Sequence, residues 1–524
     1  MTEVIHYAIV GGGVSGAYCA WRLKQAYPDQ NIVLFEYSDR IGGRLFTRQL
    51  PGITDINAEL GGMRYLPSEH KIVHQLVTQL GLKSHPFPMG SPEDPSGQKN
   101  YAYLQGKNLF VGDFNNSNKV PYNLAWSEQN KTPDEIQSMV MRLLVPNWQE
   151  LSFDDWFEVE VFGMPLWKHG FWNLLYRVLT PQAFQFLKYG SGYDTNVSNG
   201  NAVTLLPTGG DYSSTNQYVT LDEGMEALPR ALADEFVDTY HGRIFRNYRL
   251  ASIQRQEDRN YRLQFFETQT IASKTQDVTP ALGHELVAEQ VILAMPRRSL
   301  ELIDWDCWQQ DDFLRENLSS VLIQGALKFF LAYDYAWWQE LGLVAGRSIT
   351  DLPIRQTYYF TTPKPQNCSS VPHQKALLMA SYNDIESIPF WKGLENGESF
   401  PGPEGSCASV LMVEEIQRQI LELHNLRETP KPYAAAYHDW SEDPIGAGWH
   451  SWKAGFKYNE IMPKMRHPVS SERVYICGEA YSADQGWAEG ALETAELLLK
   501  EDLQVPDHPT TEAWCPNYLR RLSY

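Results

Sequence analysis

The sequence predicts an α/β protein whose main sheet is assembled from both ends of the chain. Three observations predict it. The chain opens on an apolar run, a glycine turn and a helical run; a second short strand followed by Gly478 and Glu479 lies near the C-terminus; and between them stands an aromatic, helix-like stretch. At 524 residues the chain exceeds what one hydrophobic core organises, so two or three domains are expected.

The opening unit is read first. His6 to Val10 is β-rich and apolar, Gly11 to Gly16 is a turn, Ala17 to Ala26 has helical periodicity, and Asn31 to Glu36 is a second strand. Gly11-Gly12-Gly13-Val14-Ser15-Gly16 fits G-x-G-x-x-G, with Gly11 for the tight turn, Gly13 for close approach of backbone to a pyrophosphate, and Gly16 for helix-on-strand packing. Glu36 follows Gly16 by 20 positions, where a carboxylate accepts hydrogen bonds from ribose hydroxyls. This arrangement predicts a dinucleotide site without separating NAD from FAD.

Further along, Pro86 to Lys107 is acidic and rich in proline and glycine, and is read as loop. Thr132 to Tyr189 is dense in Trp, Phe and Leu, and the runs Ile136 to Leu144 and Trp167 to Leu179 space their apolar residues as helices do. Strand character returns at Val287 to Met295, Gly325 to Tyr333, Ala376 to Tyr382 and Val474 to Cys477, and a helix is expected from Ala488 to Lys500.

Composition narrows the class. With 43% hydrophobic and 21% charged residues the chain can bury a large core, and a net charge of −20 without basic runs argues against nucleic acid or an anionic membrane as partner. Six scattered cysteines, Cys19, Cys307, Cys368, Cys407, Cys477 and Cys515, suggest neither a zinc site nor a disulfide framework. Met1-Thr2-Glu3-Val4 runs straight into a strand, so a cytoplasmic location is the expectation. The most apolar later stretch, Ser320 to Trp338, contains Gln324, Lys328 and Asp334 and reads as buried strand rather than membrane span. His70 and His74 would share a helix face, but no third ligand accompanies them, and an amphipathic surface helix is the expected reading.

Asp39-Arg40-Ile41-Gly42-Gly43-Arg44 permits close backbone approach at Gly43 and offers a charged fork to phosphate at Arg44. With the glycine turn it resembles the opening of the flavin-containing amine oxidase family, closest to L-amino acid oxidases. The likeness runs in order over nearly the whole chain. It implies FAD, held in a Rossmann-like (GR2-type) domain built from discontinuous segments 1–70, 217–305 and 440–510. A mixed-sheet substrate domain would take 71–125 and 306–439, and a helical insertion 126–216.

The resemblance also assigns roles. Glu59-Leu60-Gly61-Gly62-Met63-Arg64 is similar to the segment beside the flavin, with Gly61, Gly62 and Met63 at the cofactor and Arg64 gripping a substrate carboxylate through two parallel hydrogen bonds. A cofactor contact like that of Arg44, or a structural ion pair, is the other reading of Arg64. Tyr382 resembles the second carboxylate ligand, against an ordinary strand-edge tyrosine. Lys328, inside the apolar run Gly325 to Leu331, needs a partner or a shifted pKa, and resembles the catalytic lysine that holds a water against flavin N5. Gly478 and Glu479 resemble the second FAD motif, Gly486, Trp487, Ala488 and Ala491 the turn and helix start beneath the isoalloxazine, and Leu250 a backbone contact to adenine. Gly486 and Trp487 would also wall the substrate, with Trp487 in an aromatic slot; plain core is the alternative for Trp487.

The implied reaction is oxidative deamination of L-α-amino acids to 2-oxo acids, by hydride transfer from Cα to flavin N5, with ammonia and hydrogen peroxide as products. The abundance of aromatic residues favours broad specificity with a bias to bulky apolar side chains. The partners expected are an L-amino acid and molecular oxygen, and a homodimer is compatible with the resemblance. Rival readings are an amino acid 2-monooxygenase, an amine or polyamine oxidase, an oxidase selective for L-lysine or L-arginine, and a flavin-binding scaffold without activity.

Overall fold

In the computed structural model residues 4–207, 216–360 and 374–506 are described. Five parallel strands form the heart of the first sheet: Arg243–Arg246, Ile32–Glu36, Ile5–Val10, the end of Gly283–Ala294, and Val474–Cys477. The start of Gly283–Ala294 pairs instead with Tyr261–Ile271, which pairs in turn with Tyr248–Arg255, so an antiparallel meander continues the parallel sheet. Ile9, Val33, Leu34 and Ile292 are wholly buried because both faces are covered, by helices on the side of Ile9, Leu34 and Ile292 and by Leu250, Leu263 and Phe265 of the meander on the side of Val33, which is why these strands read as unbroken apolar runs. The first helix, Val14–Ala26, lies on one face beside the C-terminal helix Ala488–Leu497. Arg22 and Tyr18 of the first donate to Glu496 at the end of the second, at 2.6 and 2.7 Å. Two segments nearly five hundred residues apart thus share one core.

A second sheet of seven strands runs in the order Ala434–Asp439, Ala326–Tyr333, Ala376–Asp384, Gln356–Tyr359, Gly346–Thr350, Tyr101–Leu104, Lys107–Phe110. The last two correct the expectation of loop from Pro86 to Lys107. They form a hairpin whose turn, Gln105-Gly106, has positive φ at both positions (48° and 75°). That turn matches the strand twist and closes the aromatic and aliphatic run Tyr101–Leu104, at the end of the polar stretch, into an edge hairpin. No residue of Ala326–Tyr333 is exposed, as expected of a central strand.

Helices Pro133–Leu144, Phe171–Val178 and Pro181–Ser191 form the aromatic-rich segment. Thr132 and Glu135 cap the first reciprocally, and Thr180 caps the third ahead of Pro181. The expected single helical run Trp167 to Leu179 is divided: a 3-10 turn at Leu166–Lys168 precedes Gly170, the N-cap from which Phe171–Val178 starts. Among the described cysteines Cys19, Cys307, Cys407 and Cys477 are free thiols; Cys368 and Cys515 lie outside the described residues, as do Met1, Thr2 and Glu3. No helix among the described residues is long and apolar enough to cross a membrane.

Candidate functional site

A cleft of about 1200 Å³ runs from the ends of the parallel strands to the face of the second sheet. Its walls carry Gly11, Gly13, Val14, Ser15, Glu36, Gly43, Arg44, Gly61, Gly62, Leu250, Lys328, Tyr382, Gly478, Glu479, Gly486, Trp487, Ala488 and Ala491. Of the residues singled out in the sequence, Gly16, Met63 and Arg64 are not part of that lining. Gly16 is there to let the helix approach, because a Cβ on it would sit 1.9 Å from the carbonyl oxygen of Gly11. Gly11 is itself at φ +113° with Ala294 O in the path of any side chain.

The cleft fits a dinucleotide on its own geometry. Gly13 is the N-cap of Val14–Ala26 and makes no side-chain cap bond, leaving the first-turn amides of that helix turned toward the space. A Cβ built on Gly13 would meet nothing nearer than Gly43 Cα at 3.9 Å, so the backbone there is bare to a ligand. Glu36 closes the far side: Oε2 accepts from Gly12 N at 2.6 Å, and Oε1 from Ser38 N and Oγ at 2.9 and 2.7 Å. A carboxylate has about four acceptor sites. The three protein bonds fix its orientation and leave capacity toward the cleft.

Arg44 and Glu479 meet in the middle of the cleft, Nη1 to Oε2 at 2.8 Å, and Arg44 also donates to Gly448 O. Glu479 further accepts from His450 N, His450 Nδ1 and Gly486 N, each at 2.8 Å. Burial alone would raise its pKa; Arg44 and His450 outweigh that and hold the carboxyl well below the usual range. Glu479 therefore fixes three things at once: the arginine, the strand Trp449–Trp452, and the Gly486 turn.

At the other end, Lys328 stands directly opposite Tyr382 across the antiparallel pair Ala326–Tyr333 and Ala376–Asp384. Its ammonium donates to Glu59 O at 3.1 Å and Gly61 O at 2.5 Å, and lies 4.5 Å from the Tyr382 ring centre. Burial brings the Lys328 pKa down to about 7, with Glu59 opposing and Arg64 adding to the shift. Burial likewise pushes the Tyr382 phenol up, so its hydroxyl stays a donor.

Arg64 is 6% exposed and lies among aromatic faces: Tyr218 at 4.0 Å, Phe87 at 5.2 Å and Tyr358 at 5.6 Å from its guanidinium carbon. Met89 Sδ, at 3.0 Å, is its hydrogen-bond partner, and no carboxylate lies within ion-pair distance among the described residues. A second guanidinium, Arg347, reaches the same group of rings, donating to Gln356 Oε1 at 2.5 Å beside Tyr193 and Tyr358. The two arginines outweigh burial and lower the pKa of Tyr358 between them.

Several of these residues were not anticipated. Trp449 lines the cleft 6.5 Å from Tyr382, its indole N–H held by Thr195 Oγ1 and Gln324 Oε1, each at 3.2 Å. In the short strand Trp449-His450-Ser451-Trp452, just past Gly446 and Gly448, the two tryptophans fall on opposite faces, so no alternation signalled which of them would line the cleft. His70 is a correction. It precedes the helix Lys71–Gln79, is buried rather than surface-facing, accepts from Leu66 N through Nδ1, and packs its ring 4.4 Å from Trp487; His74 is exposed as expected.

Comparison with known proteins adds to this geometry. A family model described as flavin containing amine oxidoreductase matches residues 14–497. Aplysianin-A of Aplysia kurodai is 32% identical over 95% of the chain and 90% of its own length. Achacin of Lissachatina fulica is 30% identical over 95% and 93%, and an L-amino-acid oxidase of Siganus canaliculatus is 24% identical over 94% and 84%. Cyclohexylamine oxidase from Brevibacterium oxydans superposes with a TM-score of 0.67 at 15% identity, covering 96% of this chain and all of its own, which is a likeness of fold.

Proposed function

The chain belongs to the flavin-containing amine oxidoreductase family, takes FAD as its cofactor and deaminates amino acids oxidatively, and we propose that it does so as an L-amino acid oxidase with Arg64 and Tyr382 as carboxylate clamp. The observation that carries the clamp is the state of Arg64. A guanidinium this buried normally has a carboxylate partner, because an uncompensated charge is costly to hold away from water. Arg64 has aromatic faces and a thioether instead. An incoming α-carboxylate is the counter-charge that completes it.

FAD, when bound, supplies the hydride acceptor and is returned to its oxidised form by oxygen. The protein supplies position. The planar fork of Arg64 takes both carboxylate oxygens, and the Tyr382 hydroxyl donates to one of them. Trp487 and Trp449 wall the space in which Cα sits, so orientation is achieved with rigid rings rather than with a polar catalyst. The substrate amine must be neutral, since its lone pair supports the positive charge that develops as hydride leaves Cα. Lys328, with a pKa near neutrality and a fixed perch on two carbonyl oxygens, is the group placed to hold or pass a proton. Water hydrolyses the released imino acid to a 2-oxo acid and ammonia.

The test is reduction of the holoenzyme without oxygen. L-Phenylalanine should bleach the flavin far faster than phenethylamine, which lacks the carboxylate; equal rates would remove the clamp and leave an amine oxidase. With oxygen present, a keto acid with peroxide is expected, whereas an amide with carbon dioxide would make the enzyme a 2-monooxygenase.

A further inference from the structure

The C-terminal helix Ala488–Leu497 carries three buried glutamates, and two have protein partners. Glu489 accepts from Ile72 N and Val73 N at 2.8 and 2.9 Å. Glu496 accepts from Arg22 and Tyr18. Glu493 is equally enclosed, at 4% exposure, yet its Oε2 has no hydrogen-bond partner among the described residues.

Glu493 lines a second cavity, of about 540 Å³, which shares no lining residue with the cofactor cleft. That size is within the range of small-molecule sites, about 300–1,000 Å³. Phe153, Met462, Pro463 and Leu497 give it apolar walls. Asn459, also on the wall, donates through Nδ2 to Asp154 and presents an Oδ1 that likewise lacks a partner. The cation that lines the cavity, Arg466, is already engaged by Glu501 and Asp502. The space therefore offers two unfilled acceptors, one of them acidic, and no free positive group to answer them. Burial, with Asp484 and Glu489 adding to it and Arg466 opposing, pushes the Glu493 carboxyl up, and a cation seated beside it would draw it back to the ionised form.

We infer that this cavity is a binding site for a small organic cation, an ammonium or amidinium group on an apolar body, with Glu493 and Asn459 taking the charged end and Phe153, Met462 and Leu497 covering the rest. The occupant would lie against Thr494, whose hydroxyl accepts from Gly478 N at 2.8 Å and donates to Gly478 O at 3.1 Å. Gly478 is part of the cofactor cleft, so filling the cavity braces the strand end that the cofactor contacts.

Benzamidine is a suitable probe: its amidinium matches a carboxylate in plane, and its amidine carbon bears no hydrogen to be oxidised. Calorimetric titration of the FAD-loaded enzyme should show one bound benzamidine and a raised unfolding temperature. Glu493→Gln, loaded with flavin to the wild-type level, should bind it about tenfold or more weakly, as should the wild type its neutral isostere benzamide. Arg64→Ala should bind benzamidine as the wild type does, and the KM for L-phenylalanine should not rise with benzamidine. The inference is overturned if benzamidine competes with L-phenylalanine, if Glu493→Gln or benzamide matches the wild-type affinity, or if no heat is seen at millimolar probe. None of these readouts depends on which side chain the oxidase prefers.

Discussion

Arg44 Nη1 lies 2.8 Å from Oε2 of Glu479, a residue 435 positions further along the chain, and the pair ties the first βαβ unit to the C-terminal strand across the cofactor cleft. Both backbone amides that Glu479 receives, from His450 and Gly486, go to Oε1, whereas Arg44 and the His450 ring share Oε2. Glu479→Gln can therefore keep the amide contacts through its own oxygen, but it loses the charge and turns an NH2 donor toward the Arg44 and His450 donors. With Glu479 at 4% side-chain exposure and Arg44 at 22%, the loss should lie at the low end for a broken buried pair, about 3 kcal/mol. Expected are a lower flavin-to-protein absorbance ratio after purification and a lower unfolding temperature. Full flavin occupancy with unchanged stability would take away the bracing role of the pair.

Arg64→Ala should raise the KM for L-phenylalanine by roughly 2 to 5 kcal/mol while flavin content stays normal, because the side chain is not part of the cofactor-cleft lining. Arg64→Lys should recover only part of the loss, since an ammonium cannot supply two parallel hydrogen bonds. Steady-state kinetics on both variants, with flavin absorbance as control, decides the matter. A KM within twofold of wild type in Arg64→Ala would return the residue to a structural role.

The local half of this site was legible in the sequence and the long-range half was not. Gly11, Gly13, Gly16, Glu36 and Arg44 fall within one βαβ unit and its following turn, where spacing along the chain fixes spacing in space. The fold class followed from that unit and from the strand before Gly478. By contrast, Lys328 faces Tyr382 only because of the register between two strands of the second sheet, which no periodicity reveals. Trp449 lines the cleft next to His450, which Glu479 holds from the C-terminal segment, and His70 reaches Trp487 because Glu489 pins the start of the helix that follows it. The edge hairpin Tyr101–Phe110 was hidden by the polar, proline-rich and glycine-rich stretch before it, its strands being four residues each.

Lys328→Met should leave binding nearly intact and slow at least one half-reaction by about tenfold or more. The wild-type enzyme should show an inflection near pH 7 in the affected step, where the ammonium gives up its proton, and the methionine variant should show none. Rapid-mixing measurements of reduction and of reoxidation across pH 6 to 9 separate the two steps. Identical pH profiles for wild type and variant would remove Lys328 from proton handling.

Asp384, fully buried at the end of the strand that carries Tyr382, accepts from Asp194 N and Thr195 N, each at 2.9 Å, and so joins the second sheet to the helical segment. Asp194 itself faces Arg355 at 3.2 Å, which leaves Asp384 as the surplus acid of the group. Burial, reinforced by the charge of Asp194, raises the Asp384 pKa from 3.8 to about 7. An acid whose pKa is raised on folding binds more protons in the folded than in the unfolded state between those two values, so stability falls as pH climbs from about 4 to about 7. Asp384→Asn cannot ionise and keeps one acceptor oxygen for the two amides. It should be less stable than wild type at pH 4 to 5, with the gap closing or reversing by pH 8, a relative change of roughly 2–4 kcal/mol. Chemical denaturation of both proteins at pH 5 and pH 8 reads this directly; a gap that stays constant would mean the Asp384 carboxyl is already ionised at the lower pH, with Arg355 rather than a proton offsetting it.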